Sequence, residues 1–219
     1  MTRGHGAVAA SILAFAFTSA CTTAKPDYAA YRAHLPRSIL VLPPLNESTQ
    51  VNAPYVYLST ATRPLAECGY YVFPVAVIDA FLRENGLPSP DEMHGVPLSK
   101  LNEVFGPDAV LYVTIEDWGQ KYMIISSDTV VKARARLVDA NTGTELWAGT
   151  EYLQQGSGSA GGDPIATLVA AVITQIVASM TDPAYGVSRQ ATTTMVFNPD
   201  SGLLFGPRHP QYEADQRGR

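Results

Sequence analysis

Ala109-Val-Leu-Tyr-Val-Thr-Ile-Glu-Asp-Trp118, Thr129-Val-Val-Lys-Ala-Arg-Ala-Arg-Leu-Val-Asp139 and Thr144-Glu-Leu-Trp-Ala-Gly-Thr-Glu-Tyr152 decide the fold. Each alternates apolar and polar residues, the period of a half-buried strand. In the first, Leu111, Val113 and Ile115 share a face; in the second, Val131, Ala133, Ala135 and Leu137 do. The other face of the second strand carries Lys132, Arg134 and Arg136, which predicts that it is wet. Asp139-Ala-Asn-Thr-Gly-Thr144 has the chemistry of a short hairpin loop, with Asn141 and Gly143 tolerating positive φ. The stretch from Ala109 to Tyr152 therefore reads as an antiparallel three-strand meander whose buried face must be covered from elsewhere in the chain.

Working outward, Arg37-Ser-Ile-Leu-Val-Leu-Pro43 is a short apolar run, predicted to be a strand buried on both faces. Ala53 to Glu67 reads as a helix with Tyr57, Ala61, Leu65 and Cys68 on one side, kinked or divided near Pro64 and stopped by Gly69. Tyr70 to Pro74 is a second strand. Val75 to Asn85 is a helix with Val75, Ile78, Phe81 and Leu82 on one face, Pro97 to Phe105 is another with Leu98, Leu101 and Phe105 inward, and the segment between them is turn-rich. The order predicts an α/β (α+β) fold: a mixed sheet of about five strands, including the meander, covered by helices.

Gln155 to Gly162 reads as a flexible Gly/Ser link. Asp163 and Pro164 then suit the N-cap and first position of an uncharged helix over 164–180. At about 26 Å it is short for a bilayer of about 30 Å, so it is expected to dock on protein, either its own sheet or a partner. The expected domain thus spans 37–183, with 184–219 an ordered or semi-ordered extension ending in a loose polar tail.

The first twenty residues have the character of a secretory signal: Arg3, then an apolar run from Ala7 to Phe17. Ser19-Ala20-Cys21 resembles the processing site of bacterial lipoproteins, with Thr18 departing from the Leu preferred there. Cys21 is accordingly the expected lipid-attachment residue, followed by a tether over 21–36. Cys21 and Cys68 are the two cysteines, so an acylated Cys21 leaves Cys68 unpaired and structural. A net charge of −5 gives no electrostatic case for nucleic acid.

No catalytic motif emerges. Gly156 and Gly161 have phosphate-loop spacing, but Gly162 and Asp163 stand where Lys and Ser/Thr are needed. His34, His94 and His209 are isolated from one another and from acids at ligand spacing, so neither a metal nor a cofactor is expected. Lys132, Arg134 and Arg136 form a basic stripe that Glu116, Glu145 and Glu151 can oppose; it is either a solvated, cross-paired face or a partner-binding one.

Pro36 to Ser48, Gly69 to Val77, Asn85 to Pro88, Asp108 to Tyr112, Ala135 to Asp139, Thr142-Gly143, Leu146-Trp147 and Gly206 to Pro210 together resemble a family of bacterial lipoproteins of unassigned function, typified by a neisserial surface-antigen lipoprotein. That family is similar in fold to the amino-terminal domain of the Tol–Pal β-propeller protein, and distantly to the curli-secretion lipoprotein. The resemblance implies an outer-membrane lipoprotein facing the periplasm. It further implies a non-enzymatic interaction module in an envelope transport or secretion assembly, with a curli-secretion-like lipoprotein or a further copy of itself as partner. The alternative from another class is a periplasmic small-ligand binder or enzyme with a pocket between sheet and helices.

Overall fold

The computed structural model describes residues 27–122, 127–156 and 183–218. The expected signal over 1–20, Cys21 and the apolar helix over 164–180 lie outside the described residues. Strands β1 (Ser38–Val41), β2 (Leu45–Asn46), β3 (Tyr71–Val72), β4 (Ala109–Tyr122), β5 (Ser127–Asp139) and β6 (Glu145–Gly156) form one mixed sheet. Its order is β3-β1-β4-β5-β6, with β2 also on β4. The β1, β2 and β3 pairings are parallel, and β4-β5-β6 is the expected antiparallel meander. Ile39, Leu40 and Val41 are all buried, so β1 is covered on both faces. Pro43 and Pro44 have no amide to donate, which interrupts the ladder to β4. It resumes where Glu47 N–H donates to the Ile115 carbonyl (2.9 Å), adding the short strand β2.

Two bulges decide what faces where. Ile115 pairs with Ala133 and Asp117 with Lys132, leaving Glu116 as the extra residue of β4. Leu146 is the extra residue of β6, between Glu145 opposite Val138 and Trp147 opposite Leu137. An inserted residue reverses the alternation beyond it. That is why Trp118 returns to the core although it stands three positions after Ile115.

The face carrying Leu111, Val113, Ala133 and Leu137 is closed by helices α1 (Ala29–His34), α2 (Ala53–Glu67) and α6 (Pro183–Val196). Helix α2 continues through the buried Pro64, so of the expected kink or division the division does not occur. Its Tyr57, Ala61 and Leu65 join Val187, Ala191 and Met195 of α6 in one core. A buried polar seam runs between the two helices: the Thr60 and Ser188 hydroxyls bond each other at 2.8 Å, and Thr192 Oγ1 donates to the Ser188 carbonyl at 3.0 Å. Burial pushes the Tyr57 phenol up to about 12, against a smaller opposing effect of its hydrogen bond with Thr192.

Helices α3 (Val75–Glu84), α4 (Pro90–His94) and α5 (Leu98–Phe105) cover part of the opposite face through Ile78, Leu82, Met93 and Leu101, on Leu40, Leu42, Val110 and Ala140. The expected turn-rich stretch holds α4 because Ser89 and Glu92 form a reciprocal capping box.

Two segments are more integral than their sequence suggests. The expected tether to Pro36 is packed from Tyr28 onward, with Tyr28 and Tyr31 buried in the core. The expected extension from 184 supplies α6 and the fully buried Leu203 and Leu204. Gly206 N–H donates to the Cys68 carbonyl (2.8 Å) and Arg208 N–H to that of Gly69 (3.1 Å), strapping this segment onto the end of α2. The tail is a further helix, α7 (Tyr212–Gly218), whose Gln216 carbonyl accepts from Arg32 Nε at 2.9 Å. Apolar pieces separated by Gly and Pro have no period, so a pattern search cannot see a strap that fills a core one side chain at a time.

Candidate functional site

Helices α3 to α5 lie over β1 and the start of β4 and leave the rest of that face bare. There the side chains of Lys132, Arg134 and Arg136 are 42%, 49% and 56% exposed. Glu116 accepts from Lys132 Nζ and Arg134 Nη1, both at 2.7 Å, and Glu145 accepts from Arg136 Nε at 2.7 Å. The Lys132 hydrogen bond, with the two positive charges, holds the Glu116 carboxyl below its usual range against some desolvation. Glu116 reaches two cations because it is the bulge residue. The bulge at Leu146 likewise sets Glu145 on the face of Arg136.

Glu151 does not join this stripe. It pairs with Ala133, on the core face, and half-burial raises its carboxyl above the ordinary value. The expectation of a third opposing glutamate fails because the extra residue at 146 puts Glu145 and Glu151 on opposite faces.

Where the helices end, an open cleft of about 410 Å³ separates them from the stripe. His94, Leu98, Tyr112, Thr114, Arg134, Arg136 and Gly143 contribute to its lining, which includes no carboxylate. His94 is placed by α4: its Nε2 donates to the Pro43 carbonyl (2.9 Å) and its ring meets Tyr112 edge-on at 5.3 Å. Burial lowers the His94 pKa, outweighing the Pro43 carbonyl and Asp91, so the ring is neutral at pH 7. Two guanidinium groups and two hydroxyls suit a carboxylate held by hydrogen bonds, while the one N–H of His94 is already given to Pro43. No local pattern in the chain marks this cleft, since its lining comes from β2, α4, α5, the meander and its hairpin.

The other described histidines lie elsewhere. His34 caps α1 through the Ala30 carbonyl (2.8 Å), and His209 stacks on Phe205 at 3.7 Å. Among the described residues, no three His, Cys, Asp or Glu side chains converge as a metal site, and no helix is long and apolar enough to cross a membrane. Cys68 is fully buried, its Sγ near the Leu203 and Leu204 carbonyls at 3.9 and 3.7 Å.

Comparison with known proteins bears on the whole chain. A Neisseria meningitidis serogroup B protein described as "Putative lipoprotein NMB1124/NMB1162" is 44% identical over 195 residues, covering 87% of this chain and 90% of that one. The crystal structure of lipoprotein GNA1162 from Neisseria meningitidis superposes with a TM-score of 0.54 at 45% identity, covering 65% of this chain and 99% of that one. The model of the family described as "Putative lipoprotein GNA1162-like" matches residues 26–208, and the chain belongs to that family.

Proposed function

We propose that this lipoprotein is held through acylated Cys21 in the periplasmic leaflet of the outer membrane. Its α/β domain serves there as a non-enzymatic interaction module of an envelope transport or secretion assembly. The observation that carries this is the unfinished sheet face. Helices cover one half of it, while Lys132, Arg134 and Arg136 stand exposed on the other, a charged platform of the kind that orients a protein partner. The partner is expected to present acidic groups there, and a curli-secretion-like lipoprotein is the proposed candidate.

Photo-crosslinking amino acids at Ala148 and Thr150, which lie opposite Arg136 and Arg134 on that face, test this in the native envelope, with Thr62 on α2 as the control. A discrete adduct to one envelope protein from the first two positions is expected; equal adducts from Thr62 refute the platform. Palmitate-analogue labelling tests the anchor separately, since Cys21→Ser must abolish incorporation.

The cleft supports a second possibility, a small carboxylate ligand held by Arg134 and Arg136. Saturable dicarboxylate binding in equilibrium dialysis, lost in Arg136→Gln, would favour it over the protein partner.

A further inference from the structure

The cleft beside the basic stripe has a cationic part and an apolar part. In the first, the strand register sets Tyr112 opposite Arg136 and Thr114 opposite Arg134, so two hydroxyls and two guanidinium groups share one patch of sheet. Arg134 gives Nη1 to Glu116 and Arg136 gives Nε to Glu145, which leaves the other N–H groups of each fork for a ligand. Among the described residues, neither the Tyr112 nor the Thr114 hydroxyl has a hydrogen-bond partner.

In the apolar part, Val138 follows Arg136 by two residues on the same face of β5, about 7 Å along the strand. Leu98 of α5 lines the same end beside Gly143, and Leu45 of β2, paired with Thr114, adds apolar surface on the other flank.

An occupant has to satisfy both parts. A second carboxylate against Leu98 and Val138 would give up water there, and Glu145, opposite Val138, would repel it. A dicarboxylate short enough to bridge the two arginines would leave Leu98 and Val138 uncovered. An ammonium fares no better, because no carboxylate lines the cleft and Glu145 is taken by Arg136. We propose that the cleft binds a single carboxylate carried on an uncharged apolar tail, with the carboxylate on Arg134, Arg136, Tyr112 and Thr114 and the tail along Leu98 and Val138. A free aliphatic acid and the apolar C-terminal residue of a polypeptide share that chemistry. This occupant presupposes the carboxylate reading of the cleft and narrows it, against a dicarboxylate.

Equilibrium dialysis of the full-length protein in a nonionic detergent, with empty micelles as the blank, tests the choice. Hexanoate is expected to bind about tenfold more tightly than acetate or better, since each buried methylene favours binding. It should exceed adipate by a similar factor, because adipate has the same length and a second charge. Arg136→Gln should abolish hexanoate binding. Leu98→Asn should remove the preference for hexanoate and leave acetate binding unchanged, with a thermal melt showing that each variant is folded. Acetyl-alanyl-leucine and its C-terminal amide distinguish the two sources. A peptide acid that outbinds hexanoate supports a polypeptide terminus, and the opposite order supports a free acid; an amide that binds as well as its acid overturns the inference. Adipate or succinate binding as tightly as hexanoate also overturns it, while leaving the carboxylate reading standing. If none of the acids binds, both fall.

Discussion

On the face carrying Leu111, Val113, Ala133 and Leu137, three helices and a C-terminal strap bury every strand they cross, and even the polar groups there bond one another. On the opposite face, α3 to α5 finish the job over β1 and stop, leaving cations, hydroxyls and an open cleft in water. The strands are shared, so the difference does not come from the sheet. It comes from what the rest of the chain brings to each side. The closed face should report substitutions as lost stability, and the open one as lost binding.

The largest effect is expected where the strap meets α2. Gly69 adopts φ +99°, and a Cβ there would lie 2.6 Å from the His209 amide nitrogen; one on Gly206 would lie 2.7 Å from the Gly69 carbonyl oxygen. Both obstacles are backbone, so neither can move aside cheaply. Gly206→Val should lower the unfolding free energy by about 3 kcal/mol or more in urea titration. Leu204→Ala should cost about 2–5 kcal/mol through the cavity it leaves. Native-like midpoints for both would mean that the strap is not part of the closed face.

Next in size is the seam between α2 and α6. Thr60→Val removes a hydroxyl partner while keeping the shape, and strands Ser188 in the core for about 1–3 kcal/mol. Adding Ser188→Ala should restore part of this, because neither group is then left unsatisfied. A double-mutant cycle with no coupling would show that the seam holds water instead of a direct hydrogen bond.

These two regions were unequally legible. Alternation in 129–139 marked the meander and its wet stripe, because a period of two depends only on neighbours along one strand. The bulges were written in the sequence too: Glu116-Asp117 between Ile115 and Trp118, and Leu146-Trp147 side by side, each break the alternation by one residue. Taking the alternation as unbroken is what placed Glu151 with the cations. Helix α6 has Ala184, Val187, Ala191 and Met195 at helical spacing, but Gly186 and the polar Ser188 and Thr192 among them disguise its inner side. The cleft and the Gly69–Gly206 crossing join residues far apart in the chain, and no local pattern carries such contacts.

On the open face, Arg134→Gln and Arg136→Gln should each change stability by less than about 1 kcal/mol, since exposed ion pairs contribute little. The photo-crosslinked adduct at Thr150 should nonetheless fall severalfold. A thermal melt beside the adduct yield separates the two quantities. A large loss of stability would move the stripe from binding to structure.

The smallest effect sharpens the comparison most, because it sets one glutamate on each face. Glu116 is held below its usual pKa, chiefly by the hydrogen bond from Lys132, so its contribution is present above the unfolded value of about 4.3 and is lost as pH falls through the folded one. Glu151 is raised by burial, so its carboxyl favours the folded state only while protonated, and that advantage is lost as pH rises through its folded pKa. At pH 7, Glu116→Gln should therefore lower the melting temperature and Glu151→Gln should raise it, each by less than about 1 kcal/mol at the midpoint. As pH falls through the folded pKa of each carboxyl, the two variants should converge on the parent. Melting curves from pH 3 to 7 check the sign directly. If both variants shift the same way at pH 7, the two side chains share an environment, and the bulge at Leu146 does not divide them between the faces.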